Sequence, residues 1–196
     1  MSKILYLGTD PPPGVFHYPV IRTELLRSSD LYKALELQDQ FTYLIFTSKN
    51  GVRHWAEAGG LFRCVCLAIG ESTADSLRKQ GVKPLVAKEA VQEGVIALLD
   101  AMRLDNAFIM YPRSNLARIN LKAYLEKRKI RKFVFDLYET VYQKIEPIPD
   151  VESFDEIVFT SPSTVRGFLH VFGEFPSKPS LKVIGPVTAK ALADAV

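Results

Sequence analysis

The sequence predicts a two-lobed α/β protein, each lobe a parallel sheet flanked by helices, with a two-stranded antiparallel hinge joining them. Three observations predict it. Short apolar runs alternate with stretches of helical period, two strand-to-helix blocks recur in the same order, and two Pro-bounded extended segments lie between the repeat units. At 196 residues and 47% apolar content, the chain can bury one large core or two smaller ones.

Apolar runs predict strands at residues 3–8, 43–47, 65–69, 84–87, 107–111, 132–137, 156–160 and 181–184. Segments of helical length and period lie between most of them, among them 91–102 and 116–129. Such alternation implies parallel strands covered by helices. The basic run Glu-Lys-Arg-Lys-Ile-Arg-Lys at 126–132 falls where a helix should end, and cations there complement the helix dipole.

The repeat is visible by eye. Residues 44–55 (Leu-Ile-Phe-Thr-Ser-Lys-Asn-Gly-Val-Arg-His-Trp) align without gaps to 157–168 (Ile-Val-Phe-Thr-Ser-Pro-Ser-Thr-Val-Arg-Gly-Phe). Residues 68–77 (Ala-Ile-Gly-Glu-Ser-Thr-Ala-Asp-Ser-Leu) align to 183–192 (Val-Ile-Gly-Pro-Val-Thr-Ala-Lys-Ala-Leu). Ordered blocks at similar spacing imply an internal duplication. A weaker correspondence relates 4–10 to 108–114, each a strand running into a polar turn. The expected domains are a discontinuous first lobe, 1–18 with 150–196, and a second lobe, 30–138, with hinge segments 19–29 and 139–149. Asp10-Pro11-Pro12-Pro13-Gly14 forbids a regular helix after the first strand. The first copy of the repeat continues with 81–87 and another helix, which the second copy lacks, so the first lobe is expected to be trimmed and to expose apolar sheet.

Composition narrows the function classes. A net charge of +3 fits an acidic small molecule and is too mild to argue for nucleic acid. No apolar run is long enough to cross a bilayer and no export leader opens the chain, so the cytoplasm is the expected location. Cys64 and Cys66 lie two apart on one strand, a geometry of buried structural thiols rather than of a disulfide or metal site. His17, His54 and His170 are scattered, which predicts no metal centre. Walker, dinucleotide and Gly-x-Ser-x-Gly motifs are absent, and no carboxylate pair stands out for acid–base work. An enzyme of this kind works mainly by holding its substrate in shape.

Each repeated block ends a strand and opens a helix with small hydroxyl residues: Thr47-Ser48, Ser72-Thr73, Thr160-Ser161 and Thr188. Helix capping accounts for any one of them, with Pro162 and Pro186 suited to a first helical turn. Together they say more. In a parallel sheet such turns gather at the carboxyl ends of the strands, where free N–H groups and the helix dipole favour anions. Gly70 and Gly185 let backbone approach a ligand closely. Lys49, Arg53, Arg113, Arg118 and Arg166 lie near these turns, although Arg53 and Arg166 stand far enough into their helices to be solvated surface. Ser48, Thr73, Arg113, Ser161 and Thr188 are the candidate binding residues, and turns from both lobes imply a large ligand with several negative groups.

The motifs Phe-Thr-Ser-x-x-x-Val, Ile-Gly-x-x-Thr-Ala, Tyr-Glu-Thr-Val-Tyr-Gln (138–143), Phe-Thr-Ser-Pro-Ser (159–163) and Ile-Gly-Pro-x-Thr-Ala (184–189) together resemble uroporphyrinogen-III synthase. They run in order over residues 40–196. The resemblance implies a bilobed, flavodoxin-like fold with the substrate in the interlobe cleft and no cofactor. It implies a reaction in which linear hydroxymethylbilane loses water and closes to uroporphyrinogen III, the last pyrrole inverted through a spiro intermediate. Thr73, Ser161 and Thr188 would contact the substrate's acetate and propionate arms, and Tyr142 matches the family tyrosine proposed to help the hydroxyl leave. A phenol is a weak acid, so that help is a hydrogen bond more than full proton transfer. Packing within the hinge accounts for Tyr142 equally well. Val187 stands where the family often places a second hydroxyl. The alternative is a non-catalytic tetrapyrrole- or polyanion-binding protein of the same fold. A monomer is expected, with the trimmed lobe as the place for any self-association.

Overall fold

Where the apolar runs begin and end decides which strands pair. The computed structural model describes residues 2–196. Its strands are β1 (Ile4–Tyr6), β2 (Phe16–His17), β3 (Ile21–Leu25), β4 (Tyr43–Phe46), β5 (Val65–Ala68), β6 (Leu85–Val86), β7 (Phe108–Ser114), β8 (Arg131–Tyr142), β9 (Glu156–Phe159) and β10 (Ser180–Val183). The helices are α1 (Ser29–Glu36), α2 (Lys49–Glu57), α3 (Glu71–Arg78), α4 (Gln92–Asp100), α5 (Asn120–Lys127), α6 (Pro162–Phe172) and α7 (Pro186–Ala193). Every expected strand is present. β7 and β8 run several residues further than their apolar runs, and the two-residue β2 carries no pattern that distinguishes it from loop. Residue 29, expected in a hinge segment, already opens α1, because Ser28 caps it by accepting from the Leu31 N–H at 3.2 Å.

The chain divides into two compact units, Met1–Thr23 with Thr140–Val196, and Glu24–Glu139. In the first unit the sheet order is β10-β9-β1-β2, parallel throughout. In the second the order is β3-β8-β7-β4-β5-β6, and β8, β7, β4, β5 and β6 are parallel. β3 and β8 carry the chain between the units. The Leu26 N–H donates to Leu137 O and the Gln143 N–H to Val20 O, a pattern only antiparallel neighbours make.

The duplication is reproduced in the pairing register. β4 meets β5 with Tyr43 opposite Val65, and β9 meets β10 with Glu156 opposite Ser180, the aligned residues in each case. The third correspondence needs correction by one residue. Tyr43 pairs with Ile109 and its counterpart Glu156 pairs with Ile4, so Ile4 matches Ile109 rather than Phe108. A one-residue slip exchanges the two faces of a strand, so the pairing decides what composition left ambiguous.

The two sheets are covered differently. In the second unit one face carries Leu44, Phe46, Cys66, Met110 and Leu137, and the other carries Ile45, Leu67, Ile109 and Tyr111 under Val95, Leu99, Leu121 and Leu125 of α4 and α5. In the first unit a single cluster gathers Leu5, Leu7, Ile157 and Phe159 with Val165 and Phe168 of α6. The opposite face carries the half-buried Ile4 and Val158 and the exposed Lys182. Among the described residues no helix follows β1, and the core cluster with α6 lies on one face of this sheet, in keeping with the trimmed first lobe that the sequence predicts. The prolines at 11–13 are the physical reason.

Candidate active site

The hydroxyl-bearing turns fall into two kinds. In the first kind the serine caps its own helix. Ser48 accepts from the Asn50 N–H at 3.0 Å, and its hydroxyl also meets Tyr138, whose phenol burial pushes up. Ser161 accepts from the Thr164 N–H at 3.3 Å, and Thr164 answers through its own hydroxyl. The Thr164 Oγ1 accepts from the Thr160 N–H at 3.0 Å and the Ser161 N–H at 3.1 Å, and donates to Ser161 O at 2.7 Å. This reciprocal box engages N–H groups that the bare turn would offer to an anion. Ser48 and Ser161 therefore act first as caps.

In the second kind the cap is a glycine. Gly70 opens α3 and Gly185 opens α7, and neither helix start has a side-chain cap among the described residues. Gly185 lies at φ +82°, a left-handed conformation that L side chains adopt only with strain. Thr73 and Thr188 occupy the same third helical position and are 4% and 3% exposed. Neither hydroxyl caps the start of its own helix. Donors at these two helix starts remain oriented toward the carboxyl edges of their sheets, the arrangement that suits a carboxylate. β4 lies beside β5, and β9 beside β10, so a capped and an uncapped turn are neighbours in each unit.

The basic residues are largely paired. Arg113 Nε donates to Asp136 Oδ1 at 2.7 Å across the β7–β8 register, and its side chain is 17% exposed. Arg118 holds Glu93 through two nitrogens at 3.0 and 2.8 Å, and that bond brings the Glu93 carboxyl down to about 2. Arg113, expected as a binding cation, thus has its charge already opposed.

Tyr142 ends β8 in the first unit and packs against that unit's core. Its oxygen accepts from Arg166 Nε at 3.2 Å, and its ring lies 5.4 Å from the His170 ring. The sequence alone leaves Arg166 as solvated surface and gives His170 no role. Their spacing of four residues, which puts both on one helix face, was the available signal.

The model of the uroporphyrinogen-III synthase HemD family matches residues 14–195. The chain belongs to this family. It is 26% identical over 207 aligned positions to the porphyrin biosynthesis protein HemD of Ruminiclostridium josui, an alignment that covers 97% of this chain and 40% of that protein. The chain thus spans about two fifths of the length of that curated relative. Among solved structures, uroporphyrinogen-III synthetase from Helicobacter pylori superposes with a TM-score of 0.71 at 21% identity, covering all of this chain and 89% of that one. A mutant uroporphyrinogen-III synthase from Thermus thermophilus gives 0.67 at 18% identity, covering 99% and 89%. These likenesses establish the HemD fold.

Within this HemD-family chain, no helix of the described residues is long and apolar enough to cross a membrane. Among the same residues no group of three or more His, Cys, Asp and Glu could hold a metal ion. The cysteines are unpaired thiols, and burial raises Cys64 to about 11 and Cys66 to about 12. His54 is pushed down by burial under the stacked Tyr138 ring.

Proposed function

We propose that this protein is a uroporphyrinogen-III synthase, closing linear hydroxymethylbilane to uroporphyrinogen III with loss of one water and inversion of the last pyrrole. Family membership supports the reaction class. The observation that carries the assignment of the site is the matched pair of uncapped helix starts, with Thr73 in one unit and Thr188 in the other. Each offers backbone N–H groups and a hydroxyl to the substrate's carboxylate arms. Ser48 and Ser161 shape the neighbouring turns, and Arg113 adds positive potential tempered by Asp136. Tyr142 donates a hydrogen bond to the departing hydroxyl. As the C–O bond breaks, its electron pair leaves with oxygen. The hydroxide takes up a proton and departs as water, and the terminal pyrrole bonds to the cationic carbon through its already substituted α-carbon, giving a spiro centre. The bond from that centre to the old methylene bridge then breaks, its electron pair returning to the pyrrole, and the bridge carbon, now cationic, bonds to the pyrrole's free α-carbon, which releases a proton and leaves the ring inverted. On this reading the protein works as a cytoplasmic monomer on an acidic small molecule, and the mild +3 charge fits such a substrate better than a nucleic-acid partner.

The test is a coupled assay from porphobilinogen and the upstream deaminase, with the oxidised uroporphyrin isomers separated. The expected result is isomer III well above the spontaneous isomer I, slowed about ten-fold or more by Tyr142→Phe, the scale of one hydrogen bond to developing charge. Isomer I alone from folded protein would refute the catalytic reading and leave a tetrapyrrole-binding protein of the same fold.

A further inference from the structure

We propose that Arg166 is a positioning residue for Tyr142, holding the phenol oxygen from one side so that its proton faces the reacting hydroxyl. The inference rests on the synthase reading and adds to it a residue that the repeat alone would leave as solvated surface.

Three separate contacts fix Tyr142. Its backbone is anchored through the next residue: the Gln143 N–H donates to Val20 O at 3.0 Å, and Gln143 Nε2 donates to Pro19 O at 2.9 Å and Ile21 O at 3.3 Å. Its ring faces His170 at 5.4 Å. Its oxygen accepts from Arg166 Nε at 3.2 Å. Arg166 and His170 stand four apart on α6, and so on one face of the helix. Gly167 lets that helix come close to the strap carrying Val20, since a Cβ there would lie 2.9 Å from Val20 O. The same strap therefore anchors both the tyrosine and the helix that grips it.

The chemistry follows from what each atom can do. The phenol oxygen has one proton and two lone pairs. With one lone pair taken by the guanidinium N–H, the proton is turned away from Arg166. Among the described residues the Tyr142 oxygen is the one hydrogen-bond partner of Arg166, so no carboxylate competes for its Nε. A cationic donor also polarises the phenol, strengthening its hydrogen bond as the departing hydroxyl gains negative charge.

The experiment is a double-mutant cycle on kcat and KM in the isomer-III assay, with Arg166→Gln, Tyr142→Phe and the pair. Arg166→Gln should lower kcat about five- to ten-fold with KM within about two-fold, the scale of one charge-assisted hydrogen bond at a partly exposed site. In the Tyr142→Phe background it should cost nothing further, and Arg166→Lys should restore part of the loss. Equal losses in both backgrounds, a rise in KM alone, or no change in kcat would each overturn the inference. A Tyr142→Phe variant of unchanged rate would remove the tyrosine from the reaction, and Arg166 with it, while isomer III still formed. One readout needs no turnover: the Cζ resonance of 13C-labelled Tyr142 should move in folded Arg166→Gln protein, and an unmoved resonance would refute the contact.

Discussion

Removing the Thr164 hydroxyl is the sharpest test of how the first unit builds its Ser161 turn. Thr164 is fully buried, and its Oγ1 makes three hydrogen bonds, at 3.0, 3.1 and 2.7 Å. Thr164→Val keeps the shape and the branched Cβ and deletes the oxygen alone. Each lost bond is worth about 0.5–1.5 kcal/mol net, and a donor left buried costs more. Thr160 and Ser161 are only half-buried, so water replaces part of what is lost. The added methyl gains some burial in return. The balance is about 2 kcal/mol, or a fall of about 1 M in the urea midpoint at an m-value near 2 kcal/mol/M. Far-UV circular dichroism under urea measures it, with Thr164→Ser as the control that keeps the oxygen. A shift below about 0.3 M, or a Ser variant losing as much as the Val variant, would show that the box does not hold the turn.

The remaining predictions concern charge. Arg118 holds the Glu93 carboxyl down near 2, so the pair's stabilisation is present above the ordinary carboxylate range and is lost as pH falls toward 2. Glu93 is half-exposed, so Glu93→Gln should cost about 0.5 kcal/mol at pH 7 and flatten stability between pH 4.5 and 2; an unchanged pH profile would refute the pairing. With burial holding Cys64 near 11 and Cys66 near 12, both thiols stay protonated when folded while the unfolded chain ionises near 9. Stability should therefore decline as pH rises from 9 toward 11. At pH 8, iodoacetamide should alkylate folded protein at least about a hundred-fold more slowly than protein in urea, and comparable rates would contradict the burial of these strands.

The candidate site was legible in unequal parts. Ser48, Thr73, Ser161 and Thr188 were readable because the repeat marks the same turn twice, and a strand-to-helix turn is set by residues adjacent in sequence. That Ser48 and Ser161 serve as caps while α3 and α7 start uncapped was not readable, since Ser, Thr and Gly all suit a helix start. Arg113 was readable as a nearby cation, but its neutralisation by Asp136 depends on the β7–β8 register. Arg166 was set aside for the same kind of reason: its partner Tyr142 is on a strand far away in sequence, and nothing local links the two.

By itself the sequence determined the alternation of strands and helices, the duplication and the family motifs. These are carried by periodicity and by residues that are neighbours along the chain. Only the tertiary structure decided which face of β1 is buried and which cations are already opposed. Those outcomes depend on strand register and on contacts between distant segments. A shift of one residue in register exchanges the two faces of a strand while changing no local propensity.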